Sequence, residues 1–414
     1  MAESVGKRPF HTFLSHAHVD KRQADKLYHF LSEMANIPVW YDAVNLPPGG
    51  TIVENLFEAI ENSRTAIILL SHQSVTRGWV QKEYQAAVNH QTQYPDFRVV
   101  PVRLDDVELP NFLQTYSSAQ IGPDGLDAAA AAHILKALYQ PSRITVDPGH
   151  ARHVYLSRGW RPGDIESVKV MSDALLSAGL SIVADAEDQP AWVEERISGI
   201  MNGCGAFAAV LPYRPGAPHM TSNYVLREWR IAADREIPCL VMPHSKVDLP
   251  KEMLDWPGLV ANTDDTRQLL SYAVNLSEEW RVPAREPYVF FATDFAVEGQ
   301  ALRRLVTETI VAVTGLPCRI GEYLGSVSVQ REILRIVSGA SLVLAEISGN
   351  SPNVYIEIGA ARATEVPVML LRSGPPGRPT FMLRDQQVYD YATEAEFVAR
   401  AVRVSYPYRR SFLT

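Results

Sequence analysis

The chain has 414 residues, a length that suits two to three domains. Its 39 basic and 47 acidic residues leave a net charge of −8, which argues against a general binder of nucleic-acid phosphates. With 46% hydrophobic residues there is apolar material for real cores, so disorder is excluded as the dominant state.

Three cysteines, Cys204, Cys239 and Cys318, are odd in number and far apart. Neither a disulfide framework nor a zinc spacing can be built from them, so a reducing, cytoplasmic setting without a metal centre is expected. The opening MAESVGKRPF has no apolar stretch of the kind a secretory leader needs. The longest apolar runs, residues 65–70 and 206–211, are strand-length, and a membrane helix needs about 20. No membrane association is expected.

Short apolar runs alternate with helical patterns along the chain. HTFLSH at His11, VWYDA at Val39, TAIILLSH at Thr65 and FRVVPVRL at Phe97 read as strands. Between them, Leu27, Phe30, Leu31 and Met34, and then Ile52, Leu56, Ala59 and Ile60, repeat at helical spacing. Strand alternating with helix predicts a parallel sheet covered on both faces.

The cycle then restarts. HVYLSRGW resembles HTFLSHAH, LSIVADA takes the place of IPVWYDA, and the helix-and-strand run VEERISGIMNGCGAFAAVLPYR follows. NYVLREWRIAAD aligns with GWVQKEYQAAVN, and IPCLVMP with FRVVPVR. A third pass runs through PYVFFATDF, LPCRIGE, VQREILRIVSGASLVLAEIS and NVYIEIGAARATEVPVMLLRS. In each pass an apolar strand precedes a helix that carries one glutamate: Glu83, Glu228 and Glu357. The expectation is an α/β chain of three tandem flavodoxin-like units, with domains at residues 1–142, 148–282 and 286–414 and proline-bearing linkers between them.

Open parallel sheets receive ligands at the carboxyl ends of their strands. In the first unit three segments belong there: Ser15, His16 and Asp20 after the first strand, Asp42 and Asn45 to Gly50 after the second, and Trp79 to Glu83 at the next helix. Each also has a plain structural explanation. Asp42 suits a turn, Asp20 a helix cap, and a carboxylate at position 83 suits the dipole of a helix start.

FLSHAHVD, VWYDAVNLPPGG, IENSRTAIILLS and RGWVQKE resemble the successive boxes of a TIR (Toll/interleukin-1 receptor) domain, over about residues 8–140. The resemblance implies a flavodoxin-like sheet whose loop after strand two, here Asn45 to Gly50, mediates self-association. Some TIR domains are scaffolds and others cleave NAD at the nicotinamide bond. The cleaving type uses a glutamate in a Trp-x-x-x-Glu arrangement, which Trp79 and Glu83 fit, and four residues apart on a helix is one face. The resemblance therefore implies Glu83 as catalytic residue, with Phe13, Ser15, His16, Asp42 and Trp79 around the substrate. NAD is then the substrate and no cofactor is needed. A bacterial immune or stress role and a homo-oligomer joined through TIR surfaces are implied in the same way.

The second unit departs from those boxes: RGWRPGD stands after its first strand, and Tyr224 holds the place of Trp79. It reads as a degenerate TIR-like unit with a structural role. In the third, NVYIEIGAARATEVPVMLL resembles a segment of nucleoside 2-deoxyribosyltransferase-like and related nucleotide-binding TIR-like domains, over about residues 287–403. Asp294, Asn350, Asn353 and Glu357 are its candidate residues for a nucleotide-like regulator, with Ser348 beside them and Gly359 permitting a close approach. The competing explanations are a loop in which Asn353 caps the helix, and a Glu357 paired with Arg362 or Arg331. Two further readings of the whole chain stay open, a non-catalytic scaffold and an N-glycosidic-bond enzyme centred on the third unit.

Overall fold

Along β8 (Ala206–Leu211) every residue is buried, and successive residues serve opposite faces. Ala206, Ala208 and Val210 pack with Met171 and Leu175 of the helix Ile165–Ser177 and with Leu269, Ala273 and Leu276 of Thr266–Glu279. Phe207, Ala209 and Leu211 pack with Ile197 and Met201 of the helix Glu194–Met201 and with Val225 and Trp229 of Asn223–Asp234. A strand apolar on both faces needs a helix layer on each side, which is why the sequence shows an unbroken apolar run instead of alternation.

The computed structural model describes residues 9–45, 58–75, 78–94, 97–122, 125–139, 153–185, 193–254, 259–262, 265–279, 287–294, 299–321, 329–374, 383 and 386–409; the side chains of 78–85, 259, 277–279 and 329–332 lie outside that description. Both proline-bearing linkers and most of the Asn45 to Gly50 loop fall outside the described residues. No described helix is long and apolar enough to cross a membrane.

Among the described residues, three five-stranded sheets share one topology. The first comprises β1 (Phe10–Ser15), β2 (Val39–Trp40), β3 (Ser63–Leu70), β4 (Arg98–Arg103) and β5 (Ala119–Gln120), ordered β2-β1-β3-β4-β5. The second comprises β6 (His153–Ser157), β7 (Ser181–Val183), β8, β9 (Cys239–Pro243) and β10 (Leu259–Val260), ordered β7-β6-β8-β9-β10. The third comprises β11 (Val289–Ala292), β12 (Cys318–Arg319), β13 (Leu342–Glu346), β14 (Val368–Ser373) and β15 (Val388–Tyr391), ordered β12-β11-β13-β14-β15. Register is parallel in each: Thr12 lies opposite Val39 and Thr65, Tyr155 opposite Val183 and Phe207, and Phe290 opposite Arg319 and Val343. This is the doubly wound 2-1-3-4-5 order, with its crevice where the winding reverses between the first and third strands.

The recurring glutamate holds one structural position. Glu83, Glu228 and Glu357 are each the sixth residue of the helix that follows the central strand, in Gly78–Gln93, Asn223–Asp234 and Pro352–Ala363 respectively. Glu228 is buried, and its carboxylate meets the fully buried Tyr155 hydroxyl, whose pKa burial pushes far above the ordinary value.

The chain divides into two compact units: Met1–Arg143 with Phe295–Val313 and Leu371–Tyr406, and Ile144–Asp294 with Thr314–Leu370 and Pro407–Thr414. In the first, the helix Glu394–Ser405 packs on Ala128–Tyr139, Tyr406 lies 4.2 Å from Tyr139 ring to ring, and Arg400 and Arg403 both donate to the Glu33 carbonyl at 3.1 and 2.8 Å. In the second, Gly199 sits where a Cβ would fall 2.3 Å from the Ser341 carbonyl oxygen. Gly199→Ala is expected to destabilise. The clash with backbone costs roughly 1–3 kcal/mol, more than the better helix propensity of alanine returns at such a site. A melting temperature lower by about 2–8 °C is the expected result; an unchanged one would show that the contact yields freely.

Candidate functional site

At the carboxyl ends of β1, β2 and β3 a polar network fixes the loops. Phe13 is buried in β1 with its ring 5.3 Å from Trp40 of β2, and Ser15 ends β1, also buried. His16 follows with its side chain 6% exposed, its Nδ1 3.9 Å from Asp42 Oδ1 and its ring 5.3 Å from Tyr41. Burial lowers the His16 pKa below the ordinary imidazole value against the opposing pull of Asp42, so the ring is neutral at physiological pH. Asp42 opens the short helix Asp42–Asn45, and the Asn45 side chain accepts from the Tyr41 amide at 2.9 Å. Phe13, Ser15, His16 and Asp42 are thus residues of one strand-end region.

Several members of this network were not legible in the sequence. Asp20 holds the N-cap position of the helix Lys21–His29, but its side chain makes no cap hydrogen bond. It is buried instead, and its carboxylate accepts from the Ser71 hydroxyl at 2.9 and 3.0 Å, which ties the loop after β1 to the end of β3. Burial raises its pKa, opposed by the hydroxyls of Ser71 and Ser74. The Tyr41 hydroxyl donates to Asp25 Oδ1 at 2.6 Å, which holds the Asp25 carboxyl below its ordinary value. The available signal was the Ser-His pair that closes both central strands, Ser15-His16 and Ser71-His72.

Trp79 and Glu83 both lie in Gly78–Gln93, four positions apart, so the backbone puts them on one helix face. Their side chains lie outside the described residues. Glu83 is in the second turn, where the helix dipole has largely faded, so the dipole explanation weakens.

Around the third sheet, Glu357 is 3% exposed, and among the described residues no hydrogen bond or ion pair reaches its carboxylate. The competing explanation, a pairing with Arg362, finds no support among the described residues, and the Arg331 side chain lies outside them. Burial alone pushes the Glu357 pKa up to about 7. Asp294 follows β11, and a Cβ on Gly349 would come within 3.2 Å of its Oδ2, so it abuts the loop after β13. Asn350 in that loop is left-handed at φ 49°, and its Oδ1 accepts from the Tyr355 hydroxyl at 3.1 Å. Asn353 is exposed and is not the cap; Ser351 holds that position, with Pro352 next. Ser348 is not free for a ligand, because its amide and hydroxyl both donate to Glu346 Oε1. Gly359 has open space around it, so no close approach requires a glycine there.

One cluster among the described residues has metal-ligand spacing: His72 Nδ1 lies 3.2 Å from Asp105 Oδ1 and 3.6 Å from Asp106 Oδ1. It sits on open surface, and Asp105 already accepts from the amides of His72 and Val107, so a surface ion pair accounts for it.

Residues 12–135 match the family model of the TIR domain. The TIR span takes in the first sheet and ends before β6. The TIR domain of the Toll-related receptor TRR-2 from Hydra magnipapillata is similar at 22% identity, over 27% of this chain and 83% of its own, with a TM-score of 0.24. The dinucleotide-forming acetyl-coenzyme A synthetase 1 of Ca. Korarchaeum cryptofilum is similar at 11% identity over 96% of this chain and 95% of its own, with a TM-score of 0.23. No curated protein matches the chain.

Proposed function

We propose that the chain is a NAD glycohydrolase whose active site belongs to its TIR domain, and that its later units, residues 148–282 and 286–414, regulate it. The observation that carries this reading is Glu83 four residues after Trp79 in the helix after β3, within the span that matches the TIR family. The chemistry fits one carboxylate. Nicotinamide is already cationic and departs with the electron pair of the glycosidic bond, so no strong acid is needed. Positive charge develops on the ribose, where a fixed carboxylate stabilises it and holds the hydroxyls. Water or an internal nucleophile then bonds to the anomeric carbon and loses its proton to solvent. A neutral His16 offers a hydrogen bond to ribose or phosphate without adding a charge beside the cation.

Regulation is supported by the packing of Glu394–Ser405 on Ala128–Tyr139 in the first compact unit, which links residues late in the chain to the closing helix of the TIR span. The same reading includes a cytoplasmic setting, assembly through TIR surfaces and a role in immune or stress signalling. The test is incubation of the purified chain with NAD at high protein concentration. Nicotinamide release supports the reading, and its absence at every concentration points to the scaffold.

Trp79→Ala is expected to slow NAD cleavage more than Glu228→Gln does, because Trp79 shares a helix face with Glu83. The reverse ranking in initial rates would move the active site to the second sheet.

A second reading is favoured by Glu357, a buried carboxyl with no partner among the described residues. Such a group suits the hydroxyls of a ribose or the N–H of a base, so the third sheet takes a nucleoside-like molecule beside Asp294, Asn350 and Asn353, as regulator or as the substrate of N-glycosidic cleavage.

A further inference from the structure

The second sheet departs from the TIR pattern at residues that line a strand-end cavity. The cavity measures about 330 Å³ and lies at the carboxyl ends of β6, β8 and β9. Arg161, Gly163 and Asp164 reach it from the loop after β6, Tyr213 and Arg214 from the loop after β8, and His244 from the end of β9. An open parallel sheet receives ligands at this edge, and the volume is at the lower end of small-molecule sites.

The charge of the cavity follows from one exchange between the two sheets. In the first, the turn His18–Asp20 presents the buried Asp20 to the Ser71 hydroxyl. In the second, the corresponding turn Pro162–Asp164 presents the buried Asp164 to the Arg214 guanidinium, and Asp164 Oδ2 also accepts the Arg161 amide at 3.1 Å. Gly159 is required for that arrangement, since a Cβ there would fall 2.1 Å from Asp164 Oδ2. A guanidinium thus stands where the first sheet has a hydroxyl. Its Nη1 donates to the Tyr213 carbonyl at 3.0 Å, which fixes the plane of the fork.

The loop that carries Arg214 is held in an unfavourable backbone conformation. His219 and Met220 are consecutive left-handed residues, neither of them glycine, at φ 55° and 53°. The Arg214 amide donates to the Met220 carbonyl at 2.6 Å, and the fully buried Thr221 hydroxyl to the Pro212 carbonyl at 2.8 Å. Strain kept in place by surrounding bonds is a mark of functional loops. Arg161, Arg214 and His244 bring two guanidiniums and an imidazole to the lining of the cavity, whose one carboxylate, Asp164, is already engaged by Arg214. Val210, Leu211 and Pro212 give the cavity an apolar wall.

The geometry points to a binding site for a small phosphate ester in the second sheet, with the phosphate on Arg161 and Arg214 and the organic body against Val210 to Tyr213. This site is independent of the NAD-cleaving reading. The test is calorimetry of the full chain with three probes: inorganic phosphate, ribose 5-phosphate and AMP. Binding of ribose 5-phosphate or AMP is the expected result. A preference for AMP assigns a nucleotide, and equal binding assigns the sugar phosphate alone. Arg161→Glu, at an exposed position, is expected to keep the melting temperature and weaken binding at least about tenfold. Lys251→Glu, the same charge change outside the cavity, is expected to leave it unchanged. No heat from any probe, binding of inorganic phosphate alone, or equal weakening by both variants would overturn the assignment.

Discussion

Glu83→Gln is expected to lower nicotinamide release from NAD at least about a hundredfold while the protein remains folded. The amide keeps the size and shape of the side chain and removes the charge. If the carboxylate faces the ribose as the positive charge develops, the loss is roughly 3 kcal/mol of transition-state stabilisation, which is the hundredfold. A carboxylate that only meets a helix dipole contributes about 0.3–1 kcal/mol to stability and nothing to turnover. The two roles move different readouts. Initial rates of nicotinamide release report the first and a melting curve the second. Near-wild-type turnover would remove Glu83 from the mechanism, whatever the melting curve does.

The repeat was legible because it is written twice, in strand order and in one recurring residue. NYVLREWRIAAD was read as a helix aligned with GWVQKEYQAAVN, and the structure places Glu228 and Glu83 at the same helical position. The closing strand of each sheet was missed, and in the first two sheets it is very short. Ala119–Gln120 and Leu259–Val260 have two residues each, too few to carry any periodicity. Side-chain partnerships were the other blind spot. Asp20 precedes a helix, so it read as a cap, but its carboxylate is taken by Ser71 from another strand end 51 residues away. The cavity of the second sheet was hidden for the same reason. RGWRPGD registered as a departure from the TIR boxes, and only the fold brings its Arg161 and Asp164 beside Arg214.

Glu357 gives the second large effect, because burial alone raises its pKa from the ordinary 4.5 to about 7. Below about pH 4.5 the carboxyl is protonated in both folded and unfolded chains and sets no difference between them. Between about pH 4.5 and 7 the unfolded chain ionises while the folded one stays neutral, so stability falls as pH rises through that window. Above about pH 7 the loss is complete, at roughly 3 kcal/mol. Glu357→Gln does not titrate, so its stability lacks this slope. Burying the amide has its own cost, and the change with pH is therefore the readout, not the absolute stability. Urea unfolding of both proteins at pH 5 and pH 8 is expected to show the variant gaining on the wild type by roughly 2–3 kcal/mol between the two conditions. Parallel behaviour would mean that a base or water already satisfies the carboxylate. The same measurement with adenosine present tests the nucleoside reading. Ribose hydroxyls that donate to the carboxylate favour its charged form, lower its pKa and flatten the wild-type slope, while the glutamine variant is unmoved.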